Sequence, residues 1–239
     1  MNRLLTFATA LTLPVLVTAC NSSSTPSAHN SPSSVPSQTP SSPATGDDKT
    51  LTASIQVAAG DLPSGWKSQP PSTTAAQQLK EDTYFDACLG VPTIDTEQTT
   101  SSDVEFERAD GLAYVDGLIN VTKTEAQAQV DQVALTGPKA VDCALAAEKK
   151  FFAPPKGTTI VSITGSKLDV PSGQIGIRII VTLKLSNGRE VTFTSDDIGM
   201  IVKRFEVQVT FSGLVQPPQK ALEDSVTAKV FARAMADAT

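Results

Sequence analysis

The chain has 239 residues, of which 40% are hydrophobic, 18% charged and only 5% aromatic, a globular profile whose core must be built from Val, Ile, Leu and Ala. Lys and Arg number 19 against 25 Asp and Glu, a net charge of -6. So acidic a surface excludes nucleic acid and anionic lipid head groups as natural partners.

In chain order, Met1-Asn2-Arg3 precedes a mostly apolar run from Leu4 to Val17. One basic residue before an apolar stretch too short to span a bilayer predicts a signal peptide over residues 1–19. The run closes on Val17-Thr18-Ala19-Cys20, which resembles the bacterial lipobox: a hydrophobic residue and two small ones set the Cys20 thiol for diacylglyceryl transfer, with cleavage before it. An ordinary secretory signal containing a cysteine is the alternative. The expected outcome is a lipoprotein held by lipid, palmitate included, on the extracytoplasmic face of the cell membrane.

Residues 20–50 form the expected tether. Asn21 to Lys49 is almost entirely Ser, Thr, Pro, Asn, Ala, Gln and Gly, with Val35 as its single sizeable apolar side chain. Such a stretch cannot offset the entropy of ordering, and as a coil it reaches roughly 30 Å. The only histidine, His29, lies inside it.

One globular domain is expected over residues 51–239. An amphipathic piece from Leu51 ends in the turn Asp61-Leu62-Pro63-Ser64-Gly65-Trp66, where Trp66 reads as a cap on the core edge and, as an aromatic, a candidate ligand-stacking residue. Thr74 to Leu89 reads as a helix with Leu79, Phe85 and Cys88 inward, stopped by Gly90 and Pro92. Strands follow at Val104–Ala109 and Leu112–Thr122, with Ala109-Asp110-Gly111 as the hairpin connection. Thr124-Glu125-Ala126-Gln127 is a capping-box pattern opening a helix to Leu135, and Pro138 opens another to Phe152.

Thr158 to Leu168 is a predicted strand, and Ile175, Ile177, Ile179, Val181, Leu183 and Leu185 then recur with period two. Ser186-Asn187-Gly188-Arg189 signals a hairpin of type I′. Strands at Glu190–Val202 and Phe205–Phe211 complete a meander, and Leu222, Val226, Val230 and Ala234 recur every four residues on a closing helix. The order predicts an α+β fold, a multi-stranded antiparallel sheet packed with helices.

With Cys20 lipidated, Cys88 and Cys143 remain in an exported domain, where a disulfide between them is expected; two buried free thiols or a redox pair are the alternatives. Catalytic candidates are few. Ser-His-Asp and Cys-His machinery and His-based zinc sites need an imidazole, and the chain's one imidazole is in the tether. No Gly-rich phosphate loop occurs, and no metal or cofactor is expected. Asp103, Glu105 and Glu107 share a strand face and read as a charged, solvated edge, with paired carboxylates for acid/base work as the alternative. Asp196-Asp197 interrupts an apolar strand run, which predicts a bulge or bend at the sheet edge or else a hard-cation or ligand site. Arg178 lies opposite the Ile175 face, either ion-paired or facing a ligand.

Asp61-Leu62-Pro63-Ser64-Gly65-Trp66, Asp86-Ala87-Cys88-Leu89-Gly90, Cys143 in a helix and the final meander together resemble the PknH-like sensor domains of actinobacteria. The resemblance implies an α+β domain whose sheet lines a ligand cleft. It departs from the kinase sensors in having two domain cysteines in place of two disulfides, and no kinase. The expectation is a non-catalytic ligand-binding or sensing lipoprotein whose ligand or partner belongs to the envelope, with Trp66, Arg178, Asp196 and Asp197 as candidate ligand contacts. The rivals are a scaffolding lipoprotein without a small-molecule site and a carboxylate-based hydrolase.

Overall fold

The computed structural model describes residues 45–93 and 98–237. The expected signal peptide, Cys20, His29 and most of the expected tether therefore lie outside the described residues. Among those described, no helix is long and apolar enough to cross a membrane.

The fold is α+β. Helix α1 (Thr45–Ile55) and a 3-10 turn (Ala59–Asp61) lead into β1 (Trp66–Gln69), α2 (Ala75–Leu89), β2 (Gln98–Arg108) and β3 (Ala113–Thr122). Helices α3 (Glu125–Thr136) and α4 (Ala140–Phe151) cross over to a meander of β4 (Thr158–Lys167), β5 (Gln174–Leu185), β6 (Glu190–Val202) and β7 (Phe205–Leu214), closed by α5 (Lys220–Asp237). All seven strands join one antiparallel sheet in the order β1-β2-β3-β7-β6-β5-β4. Two local meanders thus meet at the central β3–β7 pair.

Local signals place several element ends. The Thr74 and Thr124 hydroxyls accept from the amides of Gln77 and Gln127, capping α2 and α3, and Gly90 ends α2 in the left-handed region at φ 80°. Gln127 donates to Asp131 Oδ1 at 3.1 Å, so only half of the expected capping box is recorded. On β5 the alternation is strict: Ile175, Ile177, Ile179, Val181 and Leu183 are buried and the residues between them half-buried. The hairpin after it differs from the expected type I′ turn. Only Gly188 has positive φ, with its amide on Leu185 O at 2.9 Å, which makes a three-residue connection.

Each sheet face has its own core. On one, α1 and α5 cover Phe106, Val115, Ile119, Val207, Val209 and Phe211 with Ile55, Val226, Val230 and Phe231. On the other, α2, α3 and α4 cover the β5–β6 half, where Phe85, Leu135, Ala144 and Ala147 meet Ile177, Ile179 and Val181. Cys88 and Cys143 form the disulfide that ties α2 to α4, with Cα atoms 5.6 Å apart.

Helix α1 begins inside the stretch that composition assigns to the tether. Asp48 explains this: it is 2% exposed, 2.6 Å from the Arg204 guanidinium, and accepts from the Thr99 hydroxyl at 2.8 Å. Leu79 turns outward and is 38% exposed, and Cys88 lies on the exposed side of α2; of the three expected inward residues there, Phe85 alone is buried. Acidic Glu81, Asp82 and Asp86 take inward places instead.

Gly213 is required by a close approach. A Cβ there would lie 2.2 Å from the carbonyl oxygen of Gln216, a backbone atom that cannot swing away. Gly213→Ala is expected to cost about 3 kcal/mol, read as a lower urea midpoint at unchanged slope.

Candidate functional site

The register arranges side chains in rows across the face that carries α2, α3 and α4. One row runs Glu105, Asp116, Thr210, Asp197 and Ile177 from β2 through β3, β7 and β6 to β5. The next is Glu107, Tyr114, Ser212, Ser195 and Ile179, and on the other side lies Asp103, Leu118, Gln208, Gly199 and Ile175. This face is therefore apolar over β5 and polar over β2, β3 and β7. Glu105 opposite Asp116 sets two carboxyl groups side by side, which packing alone disfavours.

Asp197 is the hub. Its Oδ1 accepts from Gln208 Nε2 at 3.0 Å and from the Thr210 hydroxyl at 2.5 Å, while Gln208 also donates to Thr210 at 2.9 Å. Among the described residues, no donor meets Asp197 Oδ2, Gln208 Oε1, Glu206 Oε1 or Glu148 Oε2, all buried. Asp197 and Gln208 line a small cavity of about 20 Å³ under Phe85 and Leu135, room for one water-sized group. Gln208 Oε1 is an acceptor, and the three carboxyl oxygens are acceptors in their ionised forms. Such a surface fits a ligand that brings donors or positive charge.

Burial drives the titration of these acids. It pushes Asp197 up to about 7, against the opposing hydrogen bonds from Thr210 and Gln208. Burial raises Glu148 well above the carboxylate range, helped by Asp197 and Glu81, and raises Glu206 with help from Asp131. A carboxyl whose native pKa exceeds its unfolded value contributes stability that is intact below the unfolded pKa, near 4, and lost as the pH climbs through the native one. The ligand-free domain is therefore expected to melt at lower temperature at pH 8 than at pH 5. Asp197→Asn should flatten that dependence and outlast the parent at pH 8; a parent melting temperature that rises over the same interval would contradict the account.

Asp196 lies on the opposite face. β6 runs through Asp196 and Asp197 in unbroken register, with no bulge, so the two carboxylates point apart and cannot act as a pair. Asp196, fully buried, receives Arg178 Nε at 2.6 Å and a second guanidinium nitrogen beside it. The Glu223 carboxyl reaches Asp196 from α5, and burial together with that contact raises its pKa. Arg178 and Glu223 open onto a pocket of about 650 Å³ between α5 and the β4–β5 connection.

Trp66 is in a third place. It sits on β1 at the far side of the sheet, half-buried, and lines a groove of about 640 Å³. The candidate contacts inferred from sequence thus fall into three separate sites, with only Arg178 and Asp196 in contact. Glu105 and Glu107 are not on an edge, because β1 pairs with β2 over Glu105–Arg108, whereas Asp103 lies beyond that pairing; Glu105 is buried and accepts from the Ser72 amide and hydroxyl at 2.9 and 2.8 Å. Asn120, which opens the glycosylation-type pattern Asn120-Val121-Thr122, is buried. No cluster of three or more acidic, His or Cys side chains among the described residues is placed to hold a metal ion.

Sequence reasoning missed Glu206, Gln208, Thr210 and Ser212. Their signal was present: they alternate with Phe205, Val207, Val209 and Phe211 along β7, and only the sheet order shows that this strand is central and its polar side covered.

No protein-family profile and no curated protein matches the chain. Among solved structures, it is similar to the extracellular domain of PknH from Mycobacterium tuberculosis, with a TM-score of 0.37 and 12% identity, covering 71% of this chain and 77% of that chain.

Proposed function

We propose that the protein is a non-catalytic binding or sensing lipoprotein, anchored by lipid at Cys20 on the extracytoplasmic face of the membrane. Its ligand lies against the polar face of β2, β3, β7 and β6. The observation that carries this reading is the set of buried acceptors around Asp197 and Gln208 with no donor to meet them, at the centre of a sheet where packing favours apolar side chains. The ligand is accordingly a small cation, or a donor-rich molecule of the envelope that presents one water-sized group to the cavity under Phe85 and Leu135. The disulfide supports an oxidising compartment.

Thermal shift of the mature chain with spermidine, calcium and citrate tests the site. Stabilisation by a cation, lost in Gln208→Leu, is the expected result; stabilisation by citrate alone, or by none of the three, would refute it. Membrane fractionation tests the anchor. Cys20→Ala should move the folded protein from the membrane into the soluble fraction.

A scaffolding role has one observation in its favour, the ten-residue edge strand β4, whose Ile160 and Val161 are 40% and 49% exposed. An extended peptide could add to that edge. Binding of a partner that survives Gln208→Leu and is lost when Val161 becomes Pro would favour it.

A further inference from the structure

The groove beside Trp66 belongs to neither acidic site. It opens where β1, β2, β3 and β7 end against the start of α5, with a volume of about 640 Å³, large enough for several sugar rings. Its apolar surface comes from Trp66, Leu112, Pro217 and Pro218, and its polar groups are amides and hydroxyls, chiefly Gln216, Gln219 and Ser64. It holds no unbalanced charge. Arg108 is bound through Nε to both Asp110 oxygens at 2.9 and 3.0 Å, and Tyr114, pushed up to about 12 by burial and Glu107, stays neutral.

The rim of the groove is held in a costly shape. Val215 has φ 73°, a left-handed conformation that a β-branched residue adopts at a cost of order 1–3 kcal/mol. It is fixed there by its amide on Thr192 O at 2.7 Å, by the neighbouring Leu214 amide on Leu112 O at 2.9 Å, and by the close packing of Gln216 O over Gly213. Gln216, Pro217, Pro218 and Gln219, which follow this strained residue, line the groove together with Trp66.

We propose that this groove binds a neutral saccharide, one pyranose ring stacked on the Trp66 indole and its hydroxyls held by the Gln216 and Gln219 amides and Arg108. A flat indole offers its face to the apolar C–H side of a sugar, and side-chain amides match hydroxyls because both donate and accept. An ionic ligand would meet no unpaired opposite charge here. Of the two half-buried aromatic residues that line the groove, Tyr114 already gives its hydroxyl to Glu107, which leaves Trp66 as the stacking wall.

Trp66 is the chain's single tryptophan, so its fluorescence reports on this site alone. Mature protein is titrated with neutral trisaccharides of glucose, mannose and galactose, with emission and heat of binding both recorded. A saturable change in emission with matching heat for at least one of them is expected. Affinity should fall at least about tenfold in Trp66→Ala, as for a stacked aromatic anchor, and about fivefold in Gln219→Ala, for one lost hydrogen bond at a surface position that leaves the core untouched. Absence of heat and emission change with all three sugars overturns the proposal, as does a change caused only by a proline-rich peptide or an undiminished affinity by heat of binding in Gln219→Ala and Trp66→Ala alike.

Discussion

Replacing Cys88 and Cys143 together with serine is expected to lower the unfolding free energy by about 4 kcal/mol, from the loop of 55 residues of separation that the bond closes. That is a large share of the 5–15 kcal/mol typical of a domain. The bond has an unusual burden. On the side it joins, α2 presents acidic Glu81, Asp82 and Asp86 inward, and Phe85 is its one fully inward apolar side chain in that core. Without the disulfide, little apolar burial retains α2 over the polar face. Urea unfolding with and without reductant measures the loss, and hydrogen exchange should rise first in Ala75–Leu89. Equal midpoints in the two conditions would contradict the assignment.

Arg178→Met carries the second large effect, about 3–5 kcal/mol, because it strands the fully buried Asp196 carboxylate between the sheet and α5. The figure is the cost of an uncompensated charge and not the worth of the ion pair. Two controls separate these. Acidification, which neutralises the stranded carboxylate, should restore part of the loss, and Arg178→Met with Asp196→Leu should recover most of it. A double variant as unstable as the single one would instead locate the effect in lost packing by the arginine stem.

The β5 alternation, the Thr74 and Thr124 caps, the Gly90 stop and the four-residue spacing on α5 were all legible in the sequence, because each is a local pattern with one physical reading. The failures share a cause as well. β1 is four residues with no apolar repeat, and the first half of β2, Gln98 to Asp103, is wholly polar, so neither gives a periodic signal. Asp196-Asp197 reads as an interruption only while both faces of β6 are taken for apolar ones. Arg178 on β5 and Gln208 and Thr210 on β7 supply the partners, and these are set by pairings far apart in sequence. The candidate site was hidden for the same reason: a polar strand side reads as solvent-facing until the strand is known to be central.

The meeting of two meanders at β3 and β7 bears on when the protein becomes competent. The β2–β3 and β4–β5–β6–β7 hairpins can form by local closure, and β1 joins β2 across α2, whereas the β3–β7 pairing joins Ala113 to Gly213 and must await nearly the whole chain. Asp116 lies on one side of that seam, and Thr210, Gln208 and Asp197 on the other. Neither half alone contains the complete acceptor row. A chain that has closed its hairpins but not the β3–β7 pairing therefore lacks the complete acceptor row, and that row is assembled in the same step that completes the sheet.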